Sequence, residues 1–157
     1  MKITQHLIAV LLGLFIAGAS VADEKSSGLF YTIGESVAIG GYDPVAYFPD
    51  GGGKPEKGFV LRNYTHKGII YRFASDANLA AFKANPDKYL PVYGGWCAWA
   101  IAKLNKKVDV DPESYVIRDG KLYLFYNQKE LDTRKDWSTD PEDFIAKGSA
   151  NWAKLTR

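Results

Sequence analysis

Two apolar rhythms share the chain. Phe59–Tyr64 and Ile69–Phe73 are runs rich in β-branched and aromatic residues, and the polar turn "THKG" between them predicts a β-hairpin. "SYVIRDGKLYLFYN" predicts a second hairpin, because Asp119-Gly120 is a favoured two-residue turn between β-formers. Ser36–Ile39 is read as a further short strand. The three-residue spacing of Leu79 and Phe82 behind Ser75, an N-cap residue type, predicts a helix that stops near Asn85-Pro86. Near the C-terminus, Thr139 or Asp140 caps a last helix, Pro141 opens it, and Glu142 and Asp143 suit its positive end. Phe144, Gly148, Trp152 and Leu155 then lie along one face. Asp43-Pro44 reads as the same cap-and-proline opening for "DPVAYF", and "DGGGKPEKG" as a loop. Hairpins followed by helices predict an α+β fold: a small single domain of antiparallel hairpins with packed helices, not a parallel βαβ sheet. Neither an internal repeat nor a low-complexity linker is evident.

The start of the chain follows a different logic. Lys2 precedes an almost wholly apolar run, Leu7–Ala19, and Ser20-Val21-Ala22 supplies the small residues of a signal-peptidase site before the polar "DEKSS". The expectation is a signal peptide at 1–22 that is removed, a flexible segment at 23–33 and one domain at 34–157. The protein is then exported, periplasmic in a Gram-negative cell and secreted otherwise, without a stable membrane anchor after cleavage. The 135 residues that remain are about one ordinary domain.

Charge narrows the partners. The chain has 20 basic and 18 acidic side chains, of which the leader holds one lysine, and no basic block carries interleaved aromatics. Nucleic acid is not an expected partner. His6 and Met1 leave with the leader, so His66 is the one histidine and Cys97 the one thiol of the mature chain. A four-ligand Cys/His zinc site within one chain is thereby excluded.

Cys97 sits in "YGGWCAWAIA". If a helix starts at Trp96 behind Gly94-Gly95, the thiol lies in its first turn, where free N–H groups favour thiolate. The competing reading is a buried residue, since Cys97, Ile101 and Leu104 share a helical face and free cysteine packs as a small hydrophobe. Tyr42, Tyr47, Tyr93, Trp96 and Trp99 either wall a ligand pocket around it or form core. His66, in the hairpin turn, is the candidate base or co-ligand, and a Cys97/His66 pair would suit Cu(I). Asp109 and Asp111 fall on one side of an extended segment, as a cation or acid/base pair or as the wet face of an edge strand. Asn63 opens a glycosylation sequon, "NYT".

"GYDPVAYF", "YRFASDANLAAFKANPDKYLPVYGGWCAWA", "DPESY" and "DGKLYL" together resemble the exported branch of the YHS-domain proteins, across about Gly34–Trp152. The resemblance implies a YHS-like fold. The metal-handling branch carries cysteines at the positions of Ala46, Ala74 and Asn78, so its thiolate site is missing here. Some relatives with "YGGWCA" resemble selenoproteins at the Cys97 position, which implies chemistry at that atom. Phe125 stands where asparagine is expected after "LYL". The expected function is a periplasmic thiol-based redox accessory in which Cys97 is the nucleophile and the Gly94-Gly95 backbone supports its thiolate. With one thiol, any cycle runs through sulfenic acid or a mixed disulfide with a thiol partner. The alternatives are a non-catalytic binder of copper or a small ligand, and a structural or interaction module. Whether the protein is an enzyme stays open at this level.

Overall fold

The computed structural model describes residues 28–34, 36–128 and 130–157, so the leader read at 1–22 lies outside it. Strands β1 (Thr32–Ile33), β2 (Val37–Ala38), β3 (Phe59–His66) and β4 (Ile69–Phe73) form a sheet in the order β1-β2-β4-β3. Strands β5 (Asp111–Arg118) and β6 (Lys121–Phe125) pair separately, as do β7 (Asn127–Gln128) and β8 (Leu131–Asp132). The helices are α1 (Asp76–Ala84), α2 (Pro86–Tyr89), α3 (Ala98–Leu104), α4 (Thr133–Trp137) and α5 (Pro141–Leu155). The architecture is α+β, and its one parallel pairing among the described residues joins β2 to β4. None of the described helices is long and apolar enough to cross a membrane.

Both expected hairpins form, and turn chemistry explains why. Lys67-Gly68 and Asp119-Gly120 take positive φ at both positions (51° and 78°, 51° and 68°), the two-residue geometry whose twist matches paired strands. In β4 the side chains alternate, with Ile69, Tyr71 and Phe73 buried. β6 breaks the alternation because both its faces are covered. Leu122 and Leu124 enter a core with Val45, Tyr47, Phe73, Phe82 and Cys97, while Tyr123 and Phe125 enter a second with Tyr93, Ile101, Trp137 and Phe144. β6 is therefore the wall between two cores. Phe125 fills the second of them, its ring centroid 5.2 Å from that of Trp137.

Helix ends follow their caps. Ser75 Oγ accepts the Asn78 N–H at 3.0 Å, and Asp140 Oδ1 accepts that of Asp143 at 3.2 Å. Two expectations are corrected. "DPVAYF" is a turn and not a helix: Phe48 N–H closes on Val45 O at 3.0 Å, and Pro49 then starts a separate 3₁₀ turn. Residues 32 and 33, expected within a flexible segment, pair as β1 with β2, and Tyr31 N–H reaches Gly94 O at 2.8 Å.

Candidate functional site

The helix expected from Trp96 begins two residues later. Tyr93, Gly94 and Gly95 all take positive φ, so the chain turns through a 3₁₀ segment, and Trp96 leaves it extended. Cys97 becomes the N-cap residue of α3, its side chain making no capping bond and its N–H donating to Val108 O at 3.0 Å.

The sulfur is fully buried. It accepts the Tyr126 N–H at 3.3 Å and lies 3.5 Å from Thr133 Oγ1. Thr133 Oγ1 donates to Tyr126 O at 2.8 Å. A hydroxyl has one proton, so with that proton spent on the carbonyl, the thiol is the donor in the Cys97–Thr133 contact. The groups that reach the sulfur thus come from the end of β6 and the start of α4. Gly94 and Gly95 face elsewhere: Gly94 O receives Tyr31, and a side chain on Gly94 would put its Cβ 1.8 Å from Leu29 O. These glycines let the N-terminal segment close over the turn.

Above the sulfur is a pocket of about 330 Å³ lined by Cys97, Trp99, Ala100, Leu104, Val108, Tyr126, Leu131 and Thr133. Leu104 and Leu131 are 48% and 54% exposed, so apolar surface faces solvent there. Cys97 lines this pocket and yet exposes no surface to water. Larger depressions of about 380 and 450 Å³ lie beside β3 and β5, and neither touches Cys97.

Of the five aromatic side chains expected around the thiol, Trp99 alone lines this pocket. Its indole N–H donates to Asp136 and ties α3 to α4. Trp96 packs edge-on against Tyr31 at 5.3 Å. Tyr93 is in the second core, its hydroxyl 3.3 Å from Ile145 O, and burial raises its phenol pKa. Tyr47 is in the first core and donates to Pro112 O at 2.8 Å, while Tyr42 donates to Glu113 at 2.9 Å. They are packing and anchoring residues. His66 meets Phe82 edge-on at 6.0 Å and takes no part in the Cys97 pocket.

The positions that the YHS resemblance assigns to cysteine converge elsewhere. Asp43 is fully buried, and its Oδ1 accepts the N–H of Val45 at 2.8 Å and of Ala46 at 3.3 Å. Its Oδ2 accepts the Ala74 N–H at 2.8 Å and the Asn78 amide at 2.7 Å. Ala46, Ala74 and Asn78 therefore surround one carboxylate and present donors to it. A cation does not fit a carboxylate already saturated by four N–H groups, and Cu(I) finds one thiol at Cys97 without His66 beside it. Asp111 accepts the Glu113 N–H at 3.0 Å within the first residues of β5, and no group of three metal-ligating side chains occurs among the described residues.

Thr133 and Leu131 escaped the sequence. Thr133 sits in the polar run "LDTRKDW" and Leu131 stands as a lone apolar residue; no periodicity marks either as part of a site. No protein-family model, curated protein or solved structure matches the chain.

Proposed function

We propose that the protein is an exported, YHS-type binding module that takes a small, uncharged, largely apolar molecule into the pocket above Cys97. One observation carries this: Leu104 and Leu131 stand about half exposed in the lining of a pocket whose other walls are mostly apolar. Exposed apolar surface around a concavity is the usual mark of a ligand site. Its volume suits a molecule of two or three fused or linked rings.

The uncharged fluorescent probe N-phenyl-1-naphthylamine tests the reading. Saturable one-site binding is expected, weakened about tenfold or more in Leu131→Asp, since a leucine contact is worth about 1.5–3 kcal/mol. Absence of saturable binding, or equal affinity in the variant, contradicts it.

A second reading, the thiol-based redox accessory, is favoured by the polar groups at the sulfur, Tyr126 N–H and Thr133 Oγ1. A peroxide would oxidise the sulfur to sulfenic acid, with the S–O bond forming as O–O breaks; a partner thiol would then form a mixed disulfide and release water. Each reading has its own variant: Leu131→Asp removes the probe affinity that the binding module requires, and Cys97→Ser removes all thiol-dependent activity of the redox accessory.

A further inference from the structure

The described chain follows one backbone path twice. Ile39-Gly40-Gly41 has φ of 51°, 60° and 83°, and Tyr93-Gly94-Gly95 has 56°, 64° and 89°. Each turn closes by an N–H reaching back three residues, Tyr42 to Ile39 O at 3.0 Å and Trp96 to Tyr93 O at 3.2 Å. The following residue is Asp43 in the first case and Cys97 in the second. Their own N–H groups make matching bonds, to Glu56 O at 2.8 Å and to Val108 O at 3.0 Å.

The match continues through the hairpins and helices. Each hairpin has an eight-residue strand with a register shift in its first half, a two-residue turn and a five-residue strand. Phe82 of α1 packs on Tyr71 and Phe73 at 4.9 and 5.2 Å, as Trp137 of α4 packs on Tyr123 and Phe125 at 5.3 and 5.2 Å. Asn85 and Asp140, each followed by proline, have nearly the same φ and ψ, −150° and 76° against −151° and 72°. Identity is kept at scattered positions, such as Tyr71 and Tyr123 or Phe73 and Phe125, with unlike residues such as Asp43 and Cys97 between them, so the sequence shows no continuous repeat.

The polar groups match as well. The first residue after β4, Ala74, donates its N–H to Asp43, and the first after β6, Tyr126, donates its N–H to Cys97. Asn78 and Thr133 stand equally far before Asn85 and Asp140, and complete the two sites at 2.7 and 3.5 Å.

We propose that the domain is two copies of one unit, and that Thr133 is the positioning residue of Cys97, holding its sulfur in the protonated and the charged state. The chemistry lies in what replaced Asn78. A side-chain N–H only donates, which suits a carboxylate oxygen; a hydroxyl donates or accepts. With Cys97 neutral, Thr133 accepts the S–H and gives its own proton to Tyr126 O. Once the sulfur has lost its proton, the hydroxyl rotates to donate to it. Tyr126 O is not orphaned, because the Thr133 N–H still reaches it at 3.2 Å. This rests on the second reading above, in which Cys97 is the reactive group. It is independent of whether the apolar probe binds.

The test is the rate at which iodoacetamide alkylates Cys97 in the folded protein near neutral pH, read by intact mass. Thr133→Ser keeps the hydroxyl and reacts within about twofold of the parent. Thr133→Val, of the same shape, slows about tenfold, the scale of one hydrogen bond to a charged group. Thr133→Asn restores the fixed donor of the first copy and reacts faster. Equal rates in Thr133→Val and the parent, equal slowing in Thr133→Ser, or a parent thiol that reacts only on unfolding each overturn the proposal. If Thr133→Val does not fold, the S–H infrared band decides between the parent and Thr133→Asn: it moves on substitution if the thiol donates to Thr133, and an unmoved band overturns the assignment.

Discussion

Asp43 shows how far a single residue can be read. Its place before proline marks it as a cap, and it does accept the N–H groups of Val45 and Ala46. Its bonds to Ala74 and Asn78 span 31 and 35 residues and have no local signature. Replacing it by alanine leaves the Asn78 amide and the Ala74 N–H without their acceptor in a buried site. Asp43→Ala is expected to cost about 3 kcal/mol in a denaturant melt, because stranded buried donors cost about 1–3 kcal/mol each. A loss under about 1 kcal/mol would mean that the carboxylate does not join the turn to α1. The same limit governs the thiol: a lone cysteine between tryptophans is conspicuous, but Thr133, its partner across the fold, is 36 residues on in a run of charges.

At the scale of elements, legibility follows turn chemistry. The hairpins are plain in the sequence because two residues fix each turn. The start of α3 is displaced from its expected place because Gly94-Gly95 spends its freedom on positive φ, which delays the helix past Cys97. Two glycines separate the contributions of conformation and space. Gly120 has φ +68° and no heavy atom within 4 Å of the place a Cβ would take, so Gly120→Ala is expected to cost about 1 kcal/mol, the left-handed penalty alone. Gly94 has a similar φ of +64°, and a Cβ there would also meet Leu29 O at 1.8 Å. Gly94→Ala is expected to cost clearly more, at least about 2 kcal/mol, with loss of protection of the Tyr31 amide in hydrogen exchange. Equal costs would show that the N-terminal segment does not close on this turn.

At the scale of the molecule, the described residues form two cores on either side of β6, and the first is rich in phenols. Burial raises the pKa of Tyr47 and Tyr71 above the usual tyrosine value. The unfolded chain releases these protons near pH 10 and the native one retains them, so their contribution is complete below about pH 10 and declines as the pH rises beyond it. An ultraviolet titration should show these two phenols ionising only with cooperative alkaline unfolding. Smooth ionisation of every tyrosine with the native circular dichroism intact would contradict that packing. The α+β class is readable from the order of hairpins and helices; the repetition of the unit is not, since it resides in dihedral angles and paired contacts.

The pocket above Cys97 is where these scales meet, and its occupation by a small apolar molecule is best tested by a ¹H–¹⁵N NMR titration with N-phenyl-1-naphthylamine. The expected result is a saturable shift of the amides of Cys97, Tyr126, Leu131 and Thr133. Shifts gathered instead at the exposed Phe59–Leu61 stretch of β3, or no saturable shift at all, would contradict it.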